Sequence, residues 1–519
     1  MKVHFINLRA IFFKYKLDIV LILSIAAFFR LYKIRNYMEF QGDEGRDALV
    51  AYNILHGHLT LLGPSVSVGG FFLGPVYYYF MAPFLWIFNY DPVGPAVMVA
   101  LFGIATVLLI YKVGGEFFGR KAGIIASSLY AISPLMIIYS SSSWNPWLLP
   151  FFSLLALYTL YKGQIKNKLL FYLATGLFLG IAVQLHYTAL FLLPIVFVYV
   201  LMGDLFMSRT YKKIIKPLII KYLILLLGYF IAWLPFLFYE INNGFPNLRA
   251  IFNFVLNTGS SGTNFGMFTI FYDVFVNIYG RYVFGAFPPI EYLNFNGQPF
   301  ILLTYLFILI SIFPSFILLI NKCVRVWKEK NSDFLKYNLL LTWLVLGVGF
   351  FSFYRGPFMD QVYVLLFPLP FLLVALLISF LYEYKSRFFP QKIIKAVSIL
   401  IFLIIAILNL ENVYIKYQHT DNVGQTESAS QFILAKAGGQ PFDFALITNP
   451  PNYDMAYLYF FTILGNAPVN SDTNQLFVVC ERKCSPLKNN SPDIVNFGRA
   501  KVLGVWKVSG VKVYRLVHF

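Results

Sequence analysis

The chain is a succession of long apolar runs joined by polar connectors. A helix needs about 20 apolar residues to cross the hydrocarbon layer of a bilayer. Runs of that kind recur at approximately 17–35, 95–113, 122–140, 147–161, 168–185, 188–206, 218–238, 299–320, 337–354, 361–382 and 394–411. They are continuous, not alternating, which predicts helices and excludes barrel strands. A further apolar stretch, 74–90, places Tyr77, Tyr78 and Tyr79 in succession. Counted as a span, it would reverse the side of every later loop. It is therefore expected to be an interfacial or re-entrant helix on the outer side, with its tyrosines at headgroup level. The predicted fold class is an all-α polytopic membrane protein over residues 1–411. Two long outer loops are expected at 37–94 and 239–298.

Residues 412–519 break the pattern. Short β-type runs (FALIT, LFVVC, KVLGVW, VKVYRLV) alternate with turn residues, which predicts a small extracytoplasmic α/β domain. Cys480 and Cys484 lie in it, and an oxidising compartment would allow a disulfide, two free thiols being the other reading. Cys323 falls in a connector and is expected to be inert.

Composition removes whole classes of function. Hydrophobic residues make up 59% and charged residues 12% of the 519 positions, whereas soluble domains run at about 45–50% and about 25%. An ordinary soluble enzyme is excluded, and so is disorder, which needs low hydrophobicity and high charge. The net charge of +18 is spread over six loops and not gathered in a patch, so it is a topology signal and not a nucleic-acid site. One set of loops holds Lys14 and Lys16, Arg120 and Lys121, Lys162 and Lys166, Lys212 and Lys213, Lys322 and Arg325, and Lys385 and Arg387. The alternate loops carry Arg46, Arg249, Arg281 and Arg355. The positive-inside rule then puts the N-terminus in the cytoplasm and the C-terminal domain outside a plasma membrane. The first run has no small-residue cleavage site after it, so an uncleaved span is expected.

The first outer loop concentrates acids. Glu39, Asp43, Glu44 and Asp47 fall within nine residues together with Arg46. A carboxylate here could act as general base or hold a divalent cation, and the Arg could hold a phosphate. The plain alternative is a solvated loop that caps the next helix, with Asp43 as N-cap.

The segment GDEGRDALVAYNILHGH, just past a first apolar span, resembles the first-loop motif of GT-C glycosyltransferases, in particular protein O-mannosyltransferases and lipid A aminoarabinose transferases. The resemblance continues through GPVYYYFMAPF, FGRKAGIIASSLYAISPLMIIYS, GLFLGIAVQLHYTALFLLP and RGPFMDQVYVLLFPLPFLLVALL, roughly residues 15–385. It implies a GT-C-like fold and transfer of a sugar from a polyprenyl-phosphate donor to a glycan, lipid or protein acceptor on the outer face. Asp43 would be the base, with Glu44 beside it as a second candidate catalytic carboxylate, and Arg46 would contact the donor phosphate. The reaction is expected to be a single inverting displacement without a protein nucleophile.

Two departures bear on metal binding. Many relatives have Glu-Lys-Pro where this chain has Leu73-Gly74-Pro75, and Asp-Pro where it has Asn145-Pro146. Asp43, Glu44 and Asn145 are few ligands for a hard divalent cation, so no cofactor is expected. Substitutes for the lost Lys are His186, Arg355 and Arg281, as further phosphate contacts. Tyr77, Asn145, Gln184, Tyr187 and Tyr363 are candidates for lining the substrate site. Arg30, near the outer end of the first span, faces either that cavity or the headgroups. A flippase or polysaccharide ligase for lipid-linked sugars remains the alternative. A flippase would need polar residues inside the spans, and no internal repeat of the kind transporters often show is visible.

Overall fold

A computed structural model of the chain describes residues 17–66, 69–208, 214–257, 274, 279–285, 299–351, 360–413, 415, 421–448, 454–469, 473–481 and 484–519. Helices α1 (Leu17–Leu31), α2 (Ile34–Tyr37), α3 (Gly42–Leu55) and α4 (Val76–Ile87) lead into α5 (Val93–Phe118), α6 (Arg120–Ile132) and α7 (Pro134–Tyr139). The bundle continues with α8 (Leu149–Lys166), α9 (Leu169–Leu185), α10 (Leu192–Met207), α11 (Ile215–Asn242) and α12 (Pro246–Asn257). It closes with α13 (Pro299–Lys328), α14 (Phe334–Phe351), α15 (Pro368–Glu383) and α16 (Gln391–Glu411). Every predicted span but 122–140 overlaps a single long helix, so the described residues before 412 form an all-α polytopic membrane bundle. Among the described residues six helical stretches suffice by length and composition to cross a membrane: α5, Tyr187–Met207, α11, α14, Val364–Glu383 and α16.

Burial follows from apolarity on all sides. α15 is enclosed, with Leu369, Phe371, Leu372 and Leu373 fully buried. α11 and α16 lie at the rim and turn Leu223, Phe230, Leu234, Leu400 and Ile407 outward, as lipid-facing helices do. α9 and α11 meet backbone to backbone: a Cβ on Gly228 would overlap the Leu173 carbonyl oxygen, the close approach that small residues allow between membrane helices. Ion pairs tie the end of the bundle remote from α3: Asp18 with Arg120, Glu116 with Lys162, and buried Lys221 with Asp204.

The predicted span 122–140 is broken. Pro134 has no N–H, so the Tyr130 carbonyl loses its helical donor. Ser133 takes the extended conformation favoured before proline (ψ 122°). Arg30, fully buried, supplies the missing donors: Nη2 to the Tyr130 carbonyl at 3.3 Å and Nη1 to the Ala131 carbonyl at 3.0 Å. The expectation of a cavity-facing or headgroup-facing Arg30 is corrected accordingly.

α4 has 12 residues, about 18 Å at 1.5 Å per residue, too short to span about 30 Å of hydrocarbon. Its tyrosines correct the headgroup expectation: Tyr77 and Tyr78 point into the protein and only Tyr79 points out.

The C-terminal segment begins with α17 (Asn422–Ala437) and forms a four-stranded sheet. Its further elements are β1 (Asp443–Ile447), α18 (Met455–Ile463), β2 (Gln475–Cys480), α19 (Pro492–Phe497), β3 (Ala500–Val508) and β4 (Val511–His518). The sheet order is β1-β2-β4-β3, with β1 parallel to β2 and the other pairings antiparallel. Ser509 and Gly510 have positive φ (44° and 94°) at the β3–β4 hairpin, the conformation of a tight two-residue turn. Phe442, Phe444, Phe461 and Phe477 pack on the α17–α18 side, and Leu476, Val478, Ile494 and Phe497 on the other. Cys480 and Cys484 are joined in a disulfide.

Candidate functional site

α3 opens at residue 42, with Gln41 as N-cap and not Asp43. Glu44 completes the cap: its Oε2 accepts the Gln41 N–H at 3.1 Å. Glu44 is buried, and burial pushes its carboxyl up to about 7. Bound to the helix start and withdrawn from solvent, it is a structural cap rather than the second catalytic carboxylate.

Asp43, in the first turn, keeps 40% of its side chain exposed. Its Oδ1 accepts from Arg46 Nη1 at 2.9 Å. The other edge of the guanidinium is anchored on Asp47 Oδ1, by Nε at 2.9 Å and Nη2 at 2.8 Å. Asp47 is fully buried and takes a third bond on Oδ1 from the Tyr78 hydroxyl at 3.1 Å. Its Oδ2 has no hydrogen-bond donor among the described residues. Burial pushes the Asp47 carboxyl up to about 6, with Arg46 pulling the other way. The result is one guanidinium clamped from behind by Asp47 and Tyr78 and presented beside an open carboxylate.

The segment from Tyr139 to Trp147 runs past this group. The Ser142 hydroxyl accepts the Glu39 N–H at 3.2 Å, and the Ser143 and Tyr77 hydroxyls pair at 2.9 Å. Tyr139, its ring stacked 4.2 Å from Trp147, donates to Asp360. Arg281 pairs with the same carboxylate, and the Tyr282 hydroxyl reaches it at 3.3 Å. One polar segment thus joins the first-loop group to an Arg281–Asp360 group from far along the chain.

The other candidates divide. Tyr77 is fully buried and holds Ser143, so it supports the site and does not line it. Asn145 donates to the Leu185 carbonyl at 2.6 Å and closes the end of α9. Gln184 donates to the Ala232 carbonyl at 2.8 Å, joining α9 to α11. The Tyr187 hydroxyl donates to the Phe72 carbonyl at 2.8 Å and fastens the isolated bridge between Ser65 and Phe72. Tyr363 is buried with its ring edge-on to Phe351 at 5.3 Å. His186 caps the 3-10 helix Tyr187–Phe191: Nδ1 accepts the Thr188 N–H and lies 2.7 Å from the Thr188 hydroxyl. Burial pushes its imidazole down to about 4. A neutral ring used as a cap is no cation for a phosphate, and the expected role of His186 is corrected. Arg355 lies outside the described residues. Sequence reasoning counted Asp47 among the first-loop acids but missed Tyr139, and it did not foresee that Tyr78 would join Asp47 or that Asp360 would pair with Arg281. The acid-rich loop pointed to Asp47, but nothing local marked its union with Tyr78.

The donor set does not suit a divalent cation. Asp43 and Asp47 are turned to Arg46, Glu44 to a backbone N–H, and Asn145 to a carbonyl. Among the described residues no group of three or more His, Cys, Asp or Glu side chains is placed to hold a metal ion.

Comparison with known proteins adds the fold. A search of curated protein sequences returns no significant match. The family model described as dolichyl-phosphate-mannose-protein mannosyltransferase matches residues 73–239, less than half of the chain and beginning after the Asp43 motif. ArnT from Cupriavidus metallidurans, solved bound to undecaprenyl phosphate, superposes with a TM-score of 0.57 at 12% identity, over 96% of this chain and 97% of that one. The archaeal oligosaccharyltransferase AglB from Archaeoglobus fulgidus, solved with an inhibitory peptide and a dolichol-phosphate, gives 0.55 at 16% identity. That match covers 88% of this chain, which spans 64% of AglB. The chain has the GT-C fold of these polytopic membrane transferases.

Proposed function

We propose that the protein is a membrane glycosyltransferase that moves a sugar from a polyprenyl-phosphate donor to an acceptor hydroxyl or amine on the outer membrane face. The acceptor is a glycan, a lipid or a protein. The observation that carries this reading is the exposed Asp43 carboxylate paired with the anchored Arg46 guanidinium at the head of α3, on a GT-C fold. The acceptor O–H or N–H gives its proton to Asp43 as its heteroatom attacks the anomeric carbon. The bond from that carbon to the phosphate oxygen breaks, and the lipid phosphate leaves with the electron pair. Arg46, steadied by Asp47, stabilises the charge on the departing phosphate. Attack opposite the leaving group inverts the anomeric centre. Arg281, beside Asp360 and Tyr139, is a second cation for the donor or acceptor.

The matched family model and the ligands of the two superposed structures support a lipid-phosphate donor. A metal-independent reaction fits the committed carboxylates. The flippase reading finds little to stand on: Arg30 is tied to helix carbonyls, and Lys221 to Asp204. Positive loops at the end of the bundle remote from α3 support a cytoplasmic N-terminus and an extracytoplasmic C-terminal part. The deciding experiment is transfer by purified protein from a radiolabelled polyprenyl-phosphate sugar, wild type against Asp43→Asn. Undiminished transfer by the variant would discard Asp43 as base.

A further inference from the structure

The helix that carries Asp43 and Arg46 does not stand alone. The first turn of α18, from the C-terminal α/β part, lies directly across it at Gly45. A Cβ on Gly45 would fall 2.5 Å from the Ala456 Cα and 2.5 Å from the Met455 carbonyl carbon. Those are backbone atoms, so no side-chain rotation relieves the overlap. Gly45 lies within α3, where glycine weakens a helix relative to alanine. Space, and not backbone conformation, explains it there.

The contact is braced on both sides. Phe40, just ahead of the N-cap, is 2% exposed and sets its ring edge-on to Tyr459 and Phe460 at 5.8 and 5.7 Å. The Tyr459 hydroxyl donates to the Tyr90 carbonyl. α17 is fastened further along: Arg35 Nη2 reaches Glu427 Oε2 at 2.6 Å while its Nε holds Asp91 at 2.9 Å, and the Asp421 N–H donates to the Asn36 carbonyl at 3.1 Å.

We propose that Gly45 is a positioning residue, which seats the C-terminal α/β part on the backbone of α3 and so sets where Asp43 and Arg46 stand. The inference rests on the transferase reading of that pair. A methyl group at position 45 must push α3 and α18 apart by a distance of the order of 1 Å, and a misplacement of that size can cost up to about 100-fold in rate.

The test uses the full-length protein and reads three quantities: kcat with a polyprenyl-phosphate sugar, amide hydrogen exchange over residues 42–55, and the thermal midpoint. Gly45→Ala is expected to lower kcat at least about tenfold, to speed exchange in 42–55, and to leave the midpoint close to wild type. Glu427→Gln, which loosens the seat without touching α3, should shift kcat and exchange the same way by a few-fold. Asn53→Ala, on the exposed side of the same helix, should leave both unchanged. Wild-type kcat and exchange in Gly45→Ala overturn the proposal. Should that variant fail to fold, wild-type values in Glu427→Gln overturn it. Full transfer by Asp43→Asn would instead remove Asp43 as the base, and absence of any transfer by the wild type would remove the transferase reading, leaving exchange in Gly45→Ala to judge the seat alone.

Discussion

Asp43 and Arg46 would neutralise each other if nothing else held them. What gives the pair a direction is Asp47, which takes two guanidinium nitrogens on one oxygen and leaves Nη1 to face Asp43. In the proposed mechanism Arg46 exchanges Asp43 for the donor phosphate while Asp47 keeps it in place. Asp43→Asn keeps the shape and removes the proposed base, and should lower kcat by about 10²–10⁴-fold with the protein still folded, as radiolabel transfer and size-exclusion profiles would report. Tyr78→Phe removes one hydrogen bond to a charged carboxylate, about 1.5–3 kcal/mol. It should raise the donor KM by roughly tenfold or more, with a smaller effect on kcat. The pH dependence has a defined sign. Asp47, pushed up to about 6 by burial, gains its proton as pH falls through that value, and its grip on Arg46 weakens. The donor KM should therefore rise on the acid side of about 6, and Asp47→Asn should raise it at neutral pH and flatten the profile.

At the scale of the element, the break between α6 and α7 shows how a charged residue comes to lie inside a bundle. Pro134 leaves a carbonyl without a donor, and an unsatisfied carbonyl in hydrocarbon is costly. Arg30 meets it from α1, one hundred residues away. Arg30→Met should destabilise the protein by about 1–3 kcal/mol for each carbonyl left bare, read as a lower thermal midpoint in detergent. Pro134→Ala returns an N–H to Tyr130. The double variant should recover part of the loss, and strict additivity of the two would show that the residues do not interact.

At the scale of the molecule, the bundle supplies one end on which the acid-rich first loop, the 139–147 segment and the C-terminal part converge. With its acids tied to Arg46 and to backbone, the site should work without a divalent cation, and transfer after dialysis against a chelator should stay within about twofold of the untreated rate. Strict dependence restored by magnesium or manganese would refute this.

The apolar runs were legible in the chain because a span is a local property: some 20 apolar residues must be helical in lipid wherever they occur. The same locality made the four strands and the first-loop acids readable, since alternation and clustering lie within a few residues. Site membership was not local. Tyr78 reaches Asp47 across 31 positions, Tyr139 reaches Asp360 across 221, and Arg35 reaches Glu427 across 392. His186 shows the converse: a basic residue at the right place in the order becomes a neutral cap once burial and Thr188 act on it. The sequence by itself determined that the protein lies in a membrane, where its helices run and which loop carries acids. Only the tertiary structure decided which carboxylate stays open, which arginine fills a broken helix and why Gly45 has no side chain. The first set follows from the free energy of single segments in lipid and water; the second depends on which distant groups meet when those segments pack.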